Sequence, residues 1–187
     1  MNTFKTFCIS LKKDTNRRSH MLTIKDKMGL DFEFFDAVES DDITEEIEKK
    51  YFSNTDFYEW DINQKAVMAT FMSHIKLLKY SCENKTNLLI IEDDIDYIGN
   101  INFNDIKFNE FDILNVGTPF GCYSYFVSHD GACKILNEIH SKQITQAYDW
   151  ELNKLTTVRK QTTNIPQFTQ VENKFVSNIS PNGYKRY

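Results

Sequence analysis

The sequence predicts a single α/β domain, a central sheet covered on both faces by helices, and three observations lead there. Short apolar runs alternate along the chain with stripes of helical spacing. Residues 88–91, Leu-Leu-Ile-Ile, are apolar at every position, as in a central strand covered on both sides. A length of 187 residues with 41% hydrophobic content supports one sizeable core and is too short for two ordinary domains and a linker.

The elements follow in order. Residues 3–11 carry Phe4, Phe7, Ile9 and Leu11 in a run bounded by polar residues 12–16, which reads as a buried first strand. Asp14 or Thr15 then caps a helix whose stripe is Met21, Leu22, Ile24 and Met28 and which Gly29 ends. Residues 31–35 form a second strand, 39–48 a polar surface loop and helix, and 51–60 an aromatic but irregular stretch. From Asn63 to about Tyr80, Ala66, Val67, Thr70, Ile75, Leu77 and Leu78 fall at helical spacing and define a long buried helix. After the strand at 88–91 come strands at 111–116 and 123–128, and Asp130 is placed to cap a helix containing Ala132, Ile135, Leu136 and Ile139.

Composition excludes several function classes. A formal charge of -5 with scattered basic pairs (Lys12-Lys13, Arg17-Arg18, Lys49-Lys50) argues against nucleic acid and gives no polybasic signal for anionic lipid. No apolar run is long enough for a transmembrane segment, and the N-terminus lacks a signal-peptide core, so a cytoplasmic protein is expected. Cys8, Cys82, Cys122 and Cys133 show no Cys-X-X-Cys spacing; free thiols serving as small core residues are expected rather than a zinc or dithiol centre.

Chemistry concentrates at Glu92, Asp93 and Asp94. Ligands of open α/β sheets bind beyond the carboxyl ends of the strands, where this cluster falls if 88–91 is a central strand. Crowded carboxylates resist joint ionisation unless a cation joins them, and Mg²⁺ or Mn²⁺ prefers such oxygen ligands. A metal held there together with a diphosphate would neutralise charge on a nucleotide leaving group. A solvated acidic turn is the competing reading. Phosphatases and receiver domains also place acids after apolar strands, but this cluster follows a long helix in mid-chain, without their distinctive surroundings.

The residues resemble glycosyltransferase family 25, which includes lipooligosaccharide and collagen galactosyltransferases. ISLKKDTNRRSHM at 9–21 is similar to the family's N-terminal arginine-rich signature, FMSHIKLLKY at 71–80 to its Ser-His helix, and LLIIEDDID at 88–96 to its Glu-Asp-Asp strand. FDILNVG at 111–117, YSYFVSHDGACKIL at 123–136, YDWEL at 148–152 and VSNIS at 176–180 resemble the remaining blocks in the family's order. The chain departs from the pattern at Ser10-Leu11-Lys12 and Ser177-Asn178-Ile179, and its connection from Gly117 to Tyr123 is short.

The resemblance implies a Rossmann-like glycosyltransferase A-type fold with a mixed central sheet, a UDP-sugar donor, galactose first among the sugars, and inverting transfer to a hydroxyl of a glycan or glycoprotein. Block by block it implies Asp94 as ligand of Mn²⁺ or Mg²⁺, Glu92 and Asp93 against the nucleoside, and Ser10, Leu11 and Arg18 near the uracil and phosphates. Asp149 is the candidate general base, because an inverting displacement needs a proton acceptor opposite the leaving diphosphate; it competes with a role as cap of a helix over 150–157. His74 reads either as a hydrogen-bonded core histidine or as a site residue. Asp96 reads as a supporting carboxylate and Arg17 as a solvated side chain. The alternative function is a non-catalytic nucleotide- or carbohydrate-binding module of the same fold.

Overall fold

The computed structural model describes residues 3–52, 63–99, 101–118, 121–142, 144–171 and 175. The chain runs β1 (Phe4–Ser10), α1 (Thr15–Met28), β2 (Glu33–Asp36), a 3-10 turn (Ser40–Asp42), α2 (Glu45–Tyr51), α3 (Gln64–Asn84), β3 (Asn87–Glu92) and β4 (Ile95–Tyr97). It continues through a second 3-10 turn (Phe103–Asp105), β5 (Ile113–Asn115), β6 (Ser124–Val127), α4 (His129–His140), α5 (Tyr148–Lys154), β7 (Lys160–Thr162) and β8 (Phe168–Gln170).

Six strands form one sheet in the order β2-β1-β3-β6-β5-β7. β1 is parallel to β2 and β3, β6 is antiparallel to β3 and β5, and β5 is parallel to β7, so the sheet is mixed as expected. β4 and β8 pair separately as an antiparallel ribbon.

The period-2 alternation of strand side chains distributes β3 between two cores. Leu88 and Ile90 join Phe7, Ile9, Tyr125 and Val127 beneath α3 and α4, while Leu89 and Ile91 join Cys8 and Phe126 against Met21, Ile24 and Met28 of α1. These four residues of β3 are fully buried, which accounts for the unbroken apolar run.

Caps and close approaches set the helix positions. Gly29 ends α1 in the left-handed region at φ 60, where a Cβ is disfavoured. The expected cap of α4 moves from Asp130 to Ser128: its Oγ accepts the Gly131 N–H at 3.0 Å, whereas Asp130 lies inside the first turn and faces His129. A Cβ on Gly131 would stand 2.4 Å from the Asp112 carbonyl oxygen, so only glycine lets α4 start this close to β5.

Several boundaries differ from the sequence expectation. α3 runs on to Asn84, β2 begins two residues later than its apolar pattern suggests, and Ile43, in the polar stretch, is buried. β7 is exposed along its length and carries no periodic apolar signal, so the strand pairing with β5 was not visible in the sequence. Residues 53–60 of the aromatic stretch lie outside the described residues.

The cysteine expectation needs a correction. Cys82 and Cys133 form a disulfide between the end of α3 and α4, with their Cα atoms 5.2 Å apart, while Cys8 and Cys122 are free thiols. Fifty-one positions separate the pair in sequence, and only the packing of α3 on α4 brings them together.

Candidate functional site

Parallel pairing ends β1 and β3 side by side, with Ile9 opposite Glu92 and Ser10 opposite Asp36 of β2. Ser10 and the acidic triplet therefore occupy the same carboxyl edge, the ligand edge of open α/β sheets. Ser10 is buried. Leu11, half-buried, follows it and its carbonyl accepts the Asp14 N–H at 3.0 Å, which turns the chain into α1.

Both arginines of α1 point into this edge. Arg18 Nη2 donates to the Ser10 carbonyl at 2.9 Å and to Asp36 Oδ1 at 2.5 Å, and its guanidinium lies 4.8 Å above the Phe34 ring. Arg17 is not the solvated side chain expected from sequence: its Nη1 donates to Asp93 Oδ1 at 2.6 Å and lies 3.7 Å from Asp94 Oδ2, with its side chain only 11% exposed. Helical spacing alone does not show that two adjacent arginines both turn inward.

The electrostatics of the triplet differ residue by residue. Burial pushes the Asp93 carboxyl up, against the Ser10 hydroxyl and Arg17, which favour its anion. Asp94 is raised to about 7 by burial and by the charge of Glu92, opposed by Arg17. Its Oδ1 is buried without a hydrogen-bond partner.

A divalent cation fits that oxygen. An unpartnered carboxylate oxygen, held up in pKa by burial and by neighbouring acids, is what a hard cation would relieve. Among the described residues no three His, Cys, Asp or Glu side chains converge to hold a metal alone. Such a cation would be completed by ligand oxygens, the usual arrangement for Mg²⁺ with one or two carboxylates and a phosphate.

On the other side of Glu92 lie α3 and α5. His74 is fully buried, with Nε2 3.2 Å from Glu92 Oε1 and Nδ1 3.0 Å from the Tyr125 hydroxyl. Its ring stacks on Tyr148, centroids 4.1 Å apart and planes at 9°. The Tyr125 and Tyr148 hydroxyls meet at 2.9 Å. Of these, only His74 was singled out in sequence; Tyr125 sits beside Ser124 in β6, and nothing in the residue pattern marked its hydroxyl.

Asp149 follows Tyr148 in the first turn of α5, whose cap position is Ala147, so Asp149 is not the helix cap. Its Oδ1 accepts the Trp150 N–H at 2.9 Å. Burial raises its pKa against that hydrogen bond, and the charge of Glu92 raises it further. Burial pushes the free thiol of Cys122 well up, and the charges of Asp149 and Glu92 push it the same way.

The structure thus brings Ser10, Arg18, Asp93 and Asp94 together at the carboxyl edge of β1 and β3, with His74 and Asp149 reaching Glu92 from the opposite face. Asp96 stands apart on β4, paired with Lys27 at 2.8 Å. The 176–180 block lies outside the described residues.

The family described as glycosyltransferase family 25 (LPS biosynthesis protein) matches residues 3–115. No curated protein matches the sequence. Among solved structures, a glycosyltransferase involved in the glycosylation of the major capsid of PBCV-1 aligns at TM-score 0.53 and 9% identity, over 91% of this chain and 94% of that one. The galactosyltransferase LgtC, solved with donor and acceptor sugar analogs, aligns at TM-score 0.52 and 10% identity, over 86% of this chain and 73% of that one. At these identities the likeness speaks for the fold, which is of the glycosyltransferase A type.

Proposed function

The chain belongs to glycosyltransferase family 25, and on that premise we propose that it transfers a hexose, galactose first among the candidates, from a UDP-sugar to a hydroxyl of a glycan or glycoprotein. The observation that carries this reading is the carboxyl edge of β1 and β3, where Asp94 keeps a buried oxygen without a partner, Arg17 stands beside it and Arg18 reaches the Ser10 carbonyl. Asp94 would hold Mn²⁺ or Mg²⁺, which when bound supplies charge neutralisation for the leaving diphosphate.

The chain's own residues do the remainder. Ser10, Leu11, Arg18, Glu92 and Asp93 line the nucleotide-sugar pocket, with Arg18 fixed by the Ser10 carbonyl and Asp36. Asp149 takes the acceptor hydroxyl's proton in an inverting displacement. Its raised pKa supports that role, since a stronger base accepts a proton more readily near neutral pH.

Titration calorimetry tests the reading. Wild-type protein should bind UDP and UDP-galactose in Mn²⁺ and lose that binding without metal or in Asp94→Ala. Metal-independent binding unaffected by Asp94→Ala would remove the assigned role of Asp94, and absence of nucleotide binding would leave a module that has lost the donor site.

A further inference from the structure

Resting on the transferase reading, we infer that His74 is a positioning residue that, held by Tyr125 and Tyr148, fixes Glu92 for a hydroxyl of the transferred sugar. The hydrogen-bond directions follow from chemistry. A carboxylate oxygen accepts, so His74 Nε2–H donates to Glu92 Oε1 at 3.2 Å. In the neutral ring Nδ1 then carries the lone pair and accepts the Tyr125 O–H at 3.0 Å, and the Tyr125 oxygen accepts the Tyr148 O–H at 2.9 Å. The chain runs one way, from Tyr148 through Tyr125 and His74 to Glu92.

The surroundings lock this order. His74 and Tyr125 are wholly buried, and Tyr148 is 4% exposed, so no solvent competes for the ring nitrogens. The stacking of His74 on Tyr148 prevents the ring from turning without disturbing α5. At the outer end, the Glu92 side chain is 26% exposed, with Oε1 engaged and no partner for Oε2 among the described residues. The carboxylate therefore offers one defined oxygen to a ligand.

Which ligand group it meets follows from its neighbours. The charge of Glu92 acts on Asp94 on one side and on Asp149 on the other. In the proposed reaction the diphosphate lies at Asp94 and the accepting base is Asp149, and the sugar being moved lies between them. A sugar hydroxyl is a donor that matches the open Oε2. Tyr148 also joins the chain directly to Asp149, so α3 and α5 hold the acid cluster and the base in one register.

The test combines histidine ¹⁵N NMR with calorimetry of UDP and UDP-galactose in Mn²⁺, for wild type, Tyr125→Phe and Tyr148→Phe. Wild-type His74 is expected as the Nε2–H tautomer. Tyr125→Phe removes the donor to Nδ1 and should weaken UDP-galactose binding on the order of tenfold, as for loss of a hydrogen bond to a charged group, while UDP changes far less. Tyr148→Phe removes only the far end and should lose less than Tyr125→Phe. An Nδ1–H tautomer in wild type, or equal losses for UDP and UDP-galactose, overturns the inference. If wild type binds neither nucleotide, the transferase reading fails and takes the sugar contact with it, while the tautomer alone still decides whether the chain holds Glu92 as drawn.

Discussion

Arg17 Nη1 lies 2.6 Å from Asp93 Oδ1 and 3.7 Å from Asp94 Oδ2, so one guanidinium of α1 faces two carboxylates beyond β3. With side-chain exposures of 11% and 9%, the Arg17 and Asp93 pair is largely shielded from water. Truncating one partner leaves the other buried and uncompensated, although Asp93 can then take up a proton. Arg17→Ala should cost about 2 kcal/mol at neutral pH. Because its loss lifts the Asp93 pKa further above the unfolded value, the deficit should grow as pH rises and shrink in acid. Urea unfolding at several pH values checks this; a pH-independent deficit would contradict the ion-pair account.

Asp149→Asn removes the proposed proton acceptor but keeps the acceptor oxygen that meets the Trp150 N–H. Transfer should fall by roughly 10²-fold to 10⁴-fold with UDP affinity retained. In wild type the base form exists only above the raised pKa of Asp149, so the acidic limb of the rate profile should lie above the ordinary carboxylate range. Steady-state rates across pH would show it, and an undiminished rate in Asp149→Asn would remove this residue from the reaction.

Asp112 anchors the far side of the fold. Burial pushes its carboxyl up, but Arg159, through its side chain and backbone N–H, and Lys134 outweigh that and hold it at about 2. A folded pKa below the unfolded value of 3.8 means the contribution is present above that value and is lost as pH falls toward 2. The contribution is about 2 kcal/mol. Acid titration of wild type and Asp112→Asn checks it: the variant should start less stable and lose less across this interval.

The Cys82–Cys133 bridge closes a long loop, its ends 51 positions apart in sequence. Chain-entropy reasoning gives about 4 kcal/mol for a loop of that size. Reduction, or Cys82→Ser with Cys133→Ser, should lower Tm on the order of 10 °C. Unchanged Tm after complete reduction, verified by thiol counting, would show that the packing of α3 on α4 holds without the bond. Oxidising surroundings preserve such bonds, so thiol-blocked isolation from the native source reports the compartment.

How much of this was legible in the sequence depended on the range of the physics involved. The apolar run at 88–91 fixed β3 as a central strand, the helical stripe fixed α3, and the acids at the end of β3 marked the edge where the proposed site lies. These are local patterns, because side-chain period and strand polarity are properties of neighbouring residues. The antiparallel placement of β6, the pairing of exposed β7, the Cys82–Cys133 bond and the inward turn of Arg17 depend on partners distant in the chain. The same is true of the Tyr148, Tyr125, His74 and Glu92 chain, whose members come from four separate elements. Sequence by itself determined which segments must be buried and where charge collects; only the tertiary structure decided which buried polar groups meet, since hydrogen-bond partners are selected by packing across the core rather than by spacing along the chain.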